Sequence, residues 1–456
     1  MKGDNASREA ELRAKVRAVM PGVRADLERL ARIPSVSAAG HDPEPVRRSA
    51  ACVAEILAAS GATVRVLEAP GAHPAVVGEV AGPPGAPRVL LYAHHDVQPE
   101  GSTGWLSHPY EPIERDGRLY GRGVADDKAG VLAHAAALRA WGGKPPVGVT
   151  IFVEGEEEAG SVHLREFLER ERVSLRSDAV VVADSSNWRI GQPSLTVSLR
   201  GAVRCTVEVR TADHAVHSGV FGGPFPDALT ALARLLATLH DERGVVRVPI
   251  ATRDHADALD LTEAELRADA GARPGVRLLG EGTLTSRLWR QPAVSVLAID
   301  APTVAEASNQ IVPVARAVVS MRIPPGEDAP AALLTLQRYL QAQAPIATWG
   351  ADVTITAGSG GQPFEMKAQG PAYAAFRHAA AAAWGRAPLD VGSGGSIPFL
   401  ADFRELFPDA AILVTGVEDP ATNAHSENES LHLGEFENVC VAEALFFALF
   451  APSGSG

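Results

Sequence analysis

The sequence predicts an α/β protein: an open, mostly parallel sheet with helices on both faces, interrupted by an inserted α+β domain built on an antiparallel sheet with helices. Three observations carry this. Up to about residue 192, short continuous apolar runs alternate with helical segments. Such runs suit strands buried on both faces. From about 193 the strands instead alternate apolar and polar residues, the pattern of a half-exposed sheet. From about 362 the first pattern returns. The expected domains are therefore 1–192 with 362–456, forming one discontinuous domain, and 193–361 as the insertion.

The elements follow in order. Residues 7–32 place Leu12, Val16, Val19, Val23, Leu27 and Leu30 at three-to-four spacing, which predicts an amphipathic helix, and a second helix covers 45–60. Strands are expected at 63–68, 75–80 and 88–93. An Ala-rich helix at 129–141 leads to a strand at 148–153, and a helix at 161–172 leads to one at 178–183. In the insertion, 195–210 alternates, 226–241 is helical, and a charged, poorly periodic stretch reaches about 290. Strands at 293–299 and 314–323, a helix at 329–342 and a strand at 351–356 complete it. A helix at 371–384, a strand at 410–415 and a helix at 434–450 close the chain.

The 456 residues are enough for two or three domains with full cores. With 46% hydrophobic and 21% charged residues the composition is globular. Lys+Arg 42 against Asp+Glu 55 gives −13, a poor match to nucleic acid or an anionic membrane, both of which favour basic surfaces. The three cysteines, Cys52, Cys205 and Cys440, are far apart and imply neither a disulfide framework nor thiolate metal ligands. They fit a reducing cytoplasm. The polar N-terminus reads as neither signal nor anchor.

In open α/β sheets, functional groups collect beyond the carboxyl ends of strands. Strand 88–93 runs into His94, His95 and Asp96. Strand 148–153 runs into Glu154, Glu156, Glu157 and Glu158, and strand 178–183 into Asp184. The loop after 410–415 holds His425, and Asp126-Asp127 stands just before a helix. Each cluster alone is more often a solvated surface or a satisfied core group than a site, but together they occupy corresponding strand ends. Imidazoles and carboxylates without thiolates suit zinc, cobalt or manganese. His94, Asp126, Glu158, Asp184 and His425 supply enough ligands for two divalent ions. In His94-x-Asp96 both side chains project to one side, so Asp96 can orient the imidazole. Adjacent Glu157 and Glu158 allow one carboxylate to bind metal while the other accepts a proton.

The ordered segments LLYAHHDVQP, LYGRGVADDKAG, FVEGEEEAGS, VVADSS, HSGVFGG, GGSIP and NAHSENE resemble the zinc-dependent aminoacylase, carnosinase, carboxypeptidase-G and succinyl-diaminopimelate desuccinylase metallopeptidases, over nearly the whole chain. The dipeptidase branch is the nearest in motif. The resemblance implies that His94 and Asp184 bind one metal, Glu158 and His425 the other, and Asp126 bridges both. It implies that Asp96 orients His94, that Glu157 is the general base, and that the Asp126–Asp127 peptide is cis. His94 rather than His95 is selected because it lies two before the aspartate. The Glu-Glu-x-Gly-Ser register selects Glu157 and Glu158. The resemblance further implies that His217 on the insertion reaches a partner subunit's site. It implies that Arg322, in SMRIPP, holds the substrate carboxylate together with Gly395 and Ser396.

The expected protein is thus a cytoplasmic homodimer, joined through the insertion as a lid and dimerisation domain. It cleaves the amide bond of dipeptides or similar small substrates with a free carboxylate, using two zinc ions. An N-acyl amino acid deacylase or desuccinylase would use the same site. A non-catalytic metal-dependent binding protein would lack the base or the bridge, yet Glu157 and Asp126 are both present.

Overall fold

A computed structural model describes residues 2–101, 104–256, 259–395, 397 and 399–452, without the side chains of residues 2–6. The chain divides into two compact units. Unit 1 comprises 1–197, 366–391 and 399–456, and unit 2 comprises 198–365 with 392–398.

The first part of unit 1 holds α1 (Lys2–Ala31), α2 (Glu44–Ala59), β1 (Thr63–Leu67), β2 (Ala75–Val80), β3 (Arg88–His94), β4 (Ile113–Arg115), β5 (Arg118–Tyr120), α3 (Lys128–Ala140), β6 (Gly148–Glu154), α4 (Leu164–Arg170) and β7 (Ala179–Val182); β8 (Ser194–Leu199) leads into unit 2. Unit 2 holds β9 (Gly201–Arg210), β10 (Val216–His217), α5 (Ser218–Phe221), α6 (Ala228–Ala237), α7 (Glu263–Asp269), α8 (Leu284–Trp289), β11 (Ala293–Asp300), β12 (Gln310–Ile311), β13 (Val314–Ile323), α9 (Ala329–Ala347), β14 (Asp352–Gly361) and β15 (Phe364–Glu365). The chain ends with α10 (Pro371–Trp384), β16 (Leu389–Ser393), α11 (Leu400–Leu406), β17 (Ala411–Val414), β18 (Ser430–His432) and α12 (Leu433–Phe450).

The sheet of unit 1 runs β1-β2-β6-β3-β7-β17-β8. Its centre, β6, β3, β7 and β17, is parallel. β6 and β7 are buried throughout and β3 at all but its first residue, which is why they read as unbroken apolar runs. The flanks are antiparallel: β1 with β2, β2 with β6, and β8 with β17. The short β1–β2 connection can join only antiparallel neighbours, since a parallel pair needs a crossover of a dozen or more residues. Helix α1 packs Leu12, Val16, Val23, Leu27 and Leu30 into the core, and α3 and α12 are buried along nearly their whole length. A small three-stranded sheet, β18-β5-β4, pairs Ser430 with Tyr120 and Leu431 with Leu119. It thereby draws the loop after β5 beside the loop before β18.

In unit 2 the order is β11-β13-β9-β14, antiparallel throughout. Val203, Cys205, Val207 and Val209 of β9 join Ala315, Ala317, Val319 and Met321 of β13 under α6 and α9 in one core. The intervening residues face away, as the alternation requires. The sparsely periodic stretch after α6 carries two short helices, α7 and α8, each begun by a threonine side chain that accepts a backbone N–H.

Candidate metal centre

The first ligand candidate sits where β3 ends. His94 is fully buried, with Nδ1 3.3 Å from an Asp96 carboxylate oxygen and Nε2 3.1 Å from Asp126 Oδ1. His95 points elsewhere, its Nε2 lying 3.0 Å from the Pro74 carbonyl, and burial pushes its pKa down to about 4. Asp96 does more than orient one ring. Its carboxylate accepts the Ser37 hydroxyl at 2.6 Å and the backbone N–H groups of Glu157 and Glu158 at 3.2 and 3.0 Å. One buried carboxylate therefore ties the end of β3 to the turn that follows β6.

Two groups of potential ligands result. His94, Asp126 and Asp184 offer atoms within 4.8 Å of one another, as do Asp126, Glu158 and His425. Asp126 is common to both. His425 has a left-handed backbone, φ 62°, and its Nε2 stands 3.0 Å from Asp126 and 3.3 Å from Glu158. The Asp126–Asp127 peptide is cis. Asp184 follows β7, and the end of β17 closes on it. A Cβ at Gly416 would lie 1.7 Å from the Ser185 carbonyl oxygen, so only glycine permits that approach.

The electrostatics match a cation site. Burial opposes ionisation of Asp126, yet His425 and His94 hold it below the usual carboxylate range. Asp126 and Glu158 raise the His425 pKa to about 11. Burial, reinforced by the charges of Asp126 and Glu158, pushes Asp184 up to about 7. Burial and then Asp184 likewise raise Glu157. Neither Asp184 nor Glu157 pairs with a Lys or Arg among the described residues. Crowded carboxylates without a fixed cation, together with two imidazoles and no thiolate, form a donor set for hard-to-borderline divalent ions.

Other groups of this centre went unassigned in the sequence. Glu429, fully buried, accepts Arg122 Nη1 at 2.8 Å and the backbone N–H groups of Gly123, Ala125 and Asp126 at 3.0, 3.1 and 3.2 Å. It fixes the backbone that carries Asp126 and belongs to the same loop as His425. Asn428 clasps that loop to the segment before β4, accepting from Leu106 N at 2.8 Å and donating to the Gly104 carbonyl at 2.9 Å. Gln98 donates to Glu158 at 2.7 Å. Glu429, Asn428 and Arg122 all lie inside the quoted motifs, so position within NAHSENE and LYGRGVADDKAG was the available signal.

The remaining candidates belong to unit 2. His217 is exposed on β10, its Nδ1 accepting Gly219 N at 3.0 Å. Arg322 is partly buried near the end of β13, opposite Ala202. Gly395 is exposed and donates its N–H to Ser393 Oγ at 3.1 Å. Ser396 lies outside the described residues.

Comparison with known proteins adds identity. The cysteinylglycine-S-conjugate dipeptidase of Corynebacterium striatum is 35% identical over 375 residues, covering 80% of this chain and 81% of that one. The human Beta-Ala-His dipeptidase is 28% identical over 396 residues, 82% of this chain and 77% of that one. The crystal structure of human carnosine dipeptidase 1 superposes with a TM-score of 0.82 at 26% identity, covering 97% and 98% of the two chains. Residues 90–448 match the family described as Peptidase family M20/M25/M40, a span that runs from β3 to α12. This chain belongs to that peptidase family and is a hydrolase of the metallopeptidase type.

Proposed function

We propose that the protein is a dipeptidase that uses two divalent cations, zinc in the first instance, to cleave small peptides bearing a free carboxylate. The observation that carries this reading is Asp126 standing as the common member of two ligand groups at the sheet's carboxyl edge. The names of the relatives, a cysteinylglycine-conjugate dipeptidase and Beta-Ala-His dipeptidases, support a dipeptide substrate.

His94 and Asp184 would hold one ion, Glu158 and His425 the other, and Asp126 both. Bound there, such ions supply Lewis-acid polarisation of the carbonyl and acidify water. Glu157 removes a proton from the attacking water and returns it to the leaving amine. Burial, and then the charge of Asp184, holds its carboxyl above the usual carboxylate range. Asp96 holds His94 and, through the Glu157 and Glu158 backbones, keeps base and ligand in register. His217, from the partner subunit, donates to the carbonyl oxygen as negative charge develops on it. Arg322, with Gly395 and Ser396, grips the substrate carboxylate through paired donors.

Unit 2 acts as lid and dimerisation domain. Support comes from β11, an edge strand that exposes Val296, Leu297 and Ile299, and from exposed Val220 and Phe221 just after His217. A cytoplasmic location is supported by three buried, unpaired cysteines. No helix among the described residues is long and apolar enough to cross a membrane.

Elemental analysis combined with a panel of dipeptides and N-acetyl amino acids tests the reading. Two transition-metal ions per chain and preferential dipeptide hydrolysis are expected. Preference for the N-acetyl compounds would replace it with a deacylase, and metal without hydrolysis of either class would replace it with a binding protein.

A further inference from the structure

Arg200, between β8 and β9, is an arginine without an acid. It is 8% exposed, and no Asp or Glu pairs with it among the described residues. Its backbone N–H donates to the Ser393 carbonyl at 3.1 Å. Nη1 reaches the Arg287 and Gln291 carbonyls near the end of α8 at 3.4 and 3.3 Å, while the buried Nε has no partner among the described residues. A guanidinium presents Nε–H and the neighbouring Nη2–H as parallel donors, the edge that receives a carboxylate in bidentate fashion. The structural duties of Arg200 are therefore met by Nη1 alone, and the carboxylate-binding edge is unspent.

Gly394 packs against that edge and, lacking a side chain, leaves Nη2 uncovered by a Cβ. A Cβ at Gly394 would lie 2.7 Å from Nη2 and 3.2 Å from the Leu288 carbonyl oxygen. Arg200 also stands two residues before Ala202, the register partner of Arg322. Two-residue spacing places both arginines on the sheet face opposite α6 and α9. Burial and then the Arg322 charge draw the Arg200 pKa down to about 10. Buried guanidinium charge with an unmet donor is costly, and an anion relieves it.

We propose that Arg200 is a carboxylate receptor of unit 2, its Nε–Nη2 edge binding the free carboxylate of the peptide substrate beside Arg322. The inference rests on the proposed carboxylate-bearing substrate and adds a residue outside the motifs that suggested it.

The test is calorimetric binding to the full-length, metal-loaded enzyme. The probes are an alanylglycine analogue with CH2–NH in place of the amide, and its C-terminal carboxamide. The wild type is expected to bind the acid about tenfold or more tighter than the carboxamide. Arg200→Lys, which keeps the charge but loses the fork, should weaken the acid about tenfold and leave the carboxamide nearly unchanged. Gly394→Ala should do the same by crowding Nη2, and it decides the matter should Arg200→Lys not fold. Equal losses for acid and carboxamide would overturn the proposal. So would full acid preference in both variants with its disappearance in Arg322→Lys, which would leave the substrate reading standing on Arg322 alone. No acid preference in the wild type would overturn both.

Discussion

His94 and His217 are both histidines at the end of a strand, and they occupy opposite environments. His94 is fully buried, faces two carboxylates and shares Asp96 with the Glu157–Glu158 turn. His217 is exposed, and one ring nitrogen is spent on its own turn, at Gly219. The first can act within its own unit because neighbouring loops aim it. The second has no partner for its Nε2 among the described residues, and in the proposed function it acts on a surface brought to it. A centre assembled by burial is expected to fail through loss of chemistry or metal when it is altered, whereas the exposed segment should fail through loss of partnership.

The largest effect expected on the buried side is that of Glu157→Gln. Turnover should fall about 10²–10⁴-fold while metal content, read by elemental analysis, stays at the wild-type value. Should Glu156→Gln abolish activity instead, the base assignment is displaced by one residue. Next comes Glu429→Gln. The replacement amide cannot accept from Arg122, Gly123, Ala125 and Asp126 together, so metal affinity measured by chelator competition should drop about 10–100-fold. Loss of the charge that faces buried Arg122 should also cost about 3–5 kcal/mol of stability in denaturant titration. A stability loss with unaltered metal affinity would reduce Glu429 to a purely architectural residue.

Two tests address the exposed side. A His217→Ala chain mixed with a Glu157→Gln chain should recover roughly a quarter of wild-type activity. Random pairing makes half the dimers mixed, and each mixed dimer keeps one intact site of two. Heterodimers that form without recovery would show that His217 serves its own chain, making it more like His94 than the comparison holds. Smallest in its effect on the chemistry is Leu297→Lys. A charge on this exposed edge position should weaken self-association in sedimentation experiments while folding stability changes by about 0.5 kcal/mol or less. An unchanged association constant would exclude this edge from the interface.

Much of unit 1 was legible because burial on both faces leaves a direct imprint. The runs before His94, Glu154 and Asp184 are apolar at nearly every position, and they became β3, β6 and β7 within a residue or two of the expected ends. The alternating segment expected at 195–210 is two strands, β8 and β9, of which β8 pairs with β17, whereas the alternation at 314–323 matched β13. The antiparallel pairings of β2 with β6 and of β8 with β17 were not legible, since their direction is decided by which distant segment pairs with which. Nor were α11, β4, β5 and β18, which are short and have too few residues to display a period. The long charged stretch before β11 concealed α7 and α8 for the same reason.

The sequence by itself determined the α/β class, the order of the main elements and the residue types that collect at strand ends, because local hydrophobic periodicity and short motifs encode them. The motif resemblance already implied Asp126 as the shared residue, but only the tertiary structure decided the approaches that set Asp126 within two ligand groups, the link that Asp96 makes from His94 to the Glu157–Glu158 turn, and the hold of Glu429 on the Asp126 backbone. These are hydrogen bonds and approaches between segments separated by some 30 to 300 residues. Their geometry arises when β18 pairs with β5 and the parallel strands align, and no local pattern records it. The unspent edge of Arg200 is of the same kind: a single arginine before a glycine in the sequence, and a buried, acid-free guanidinium only once α8 and the 393–395 segment close around it.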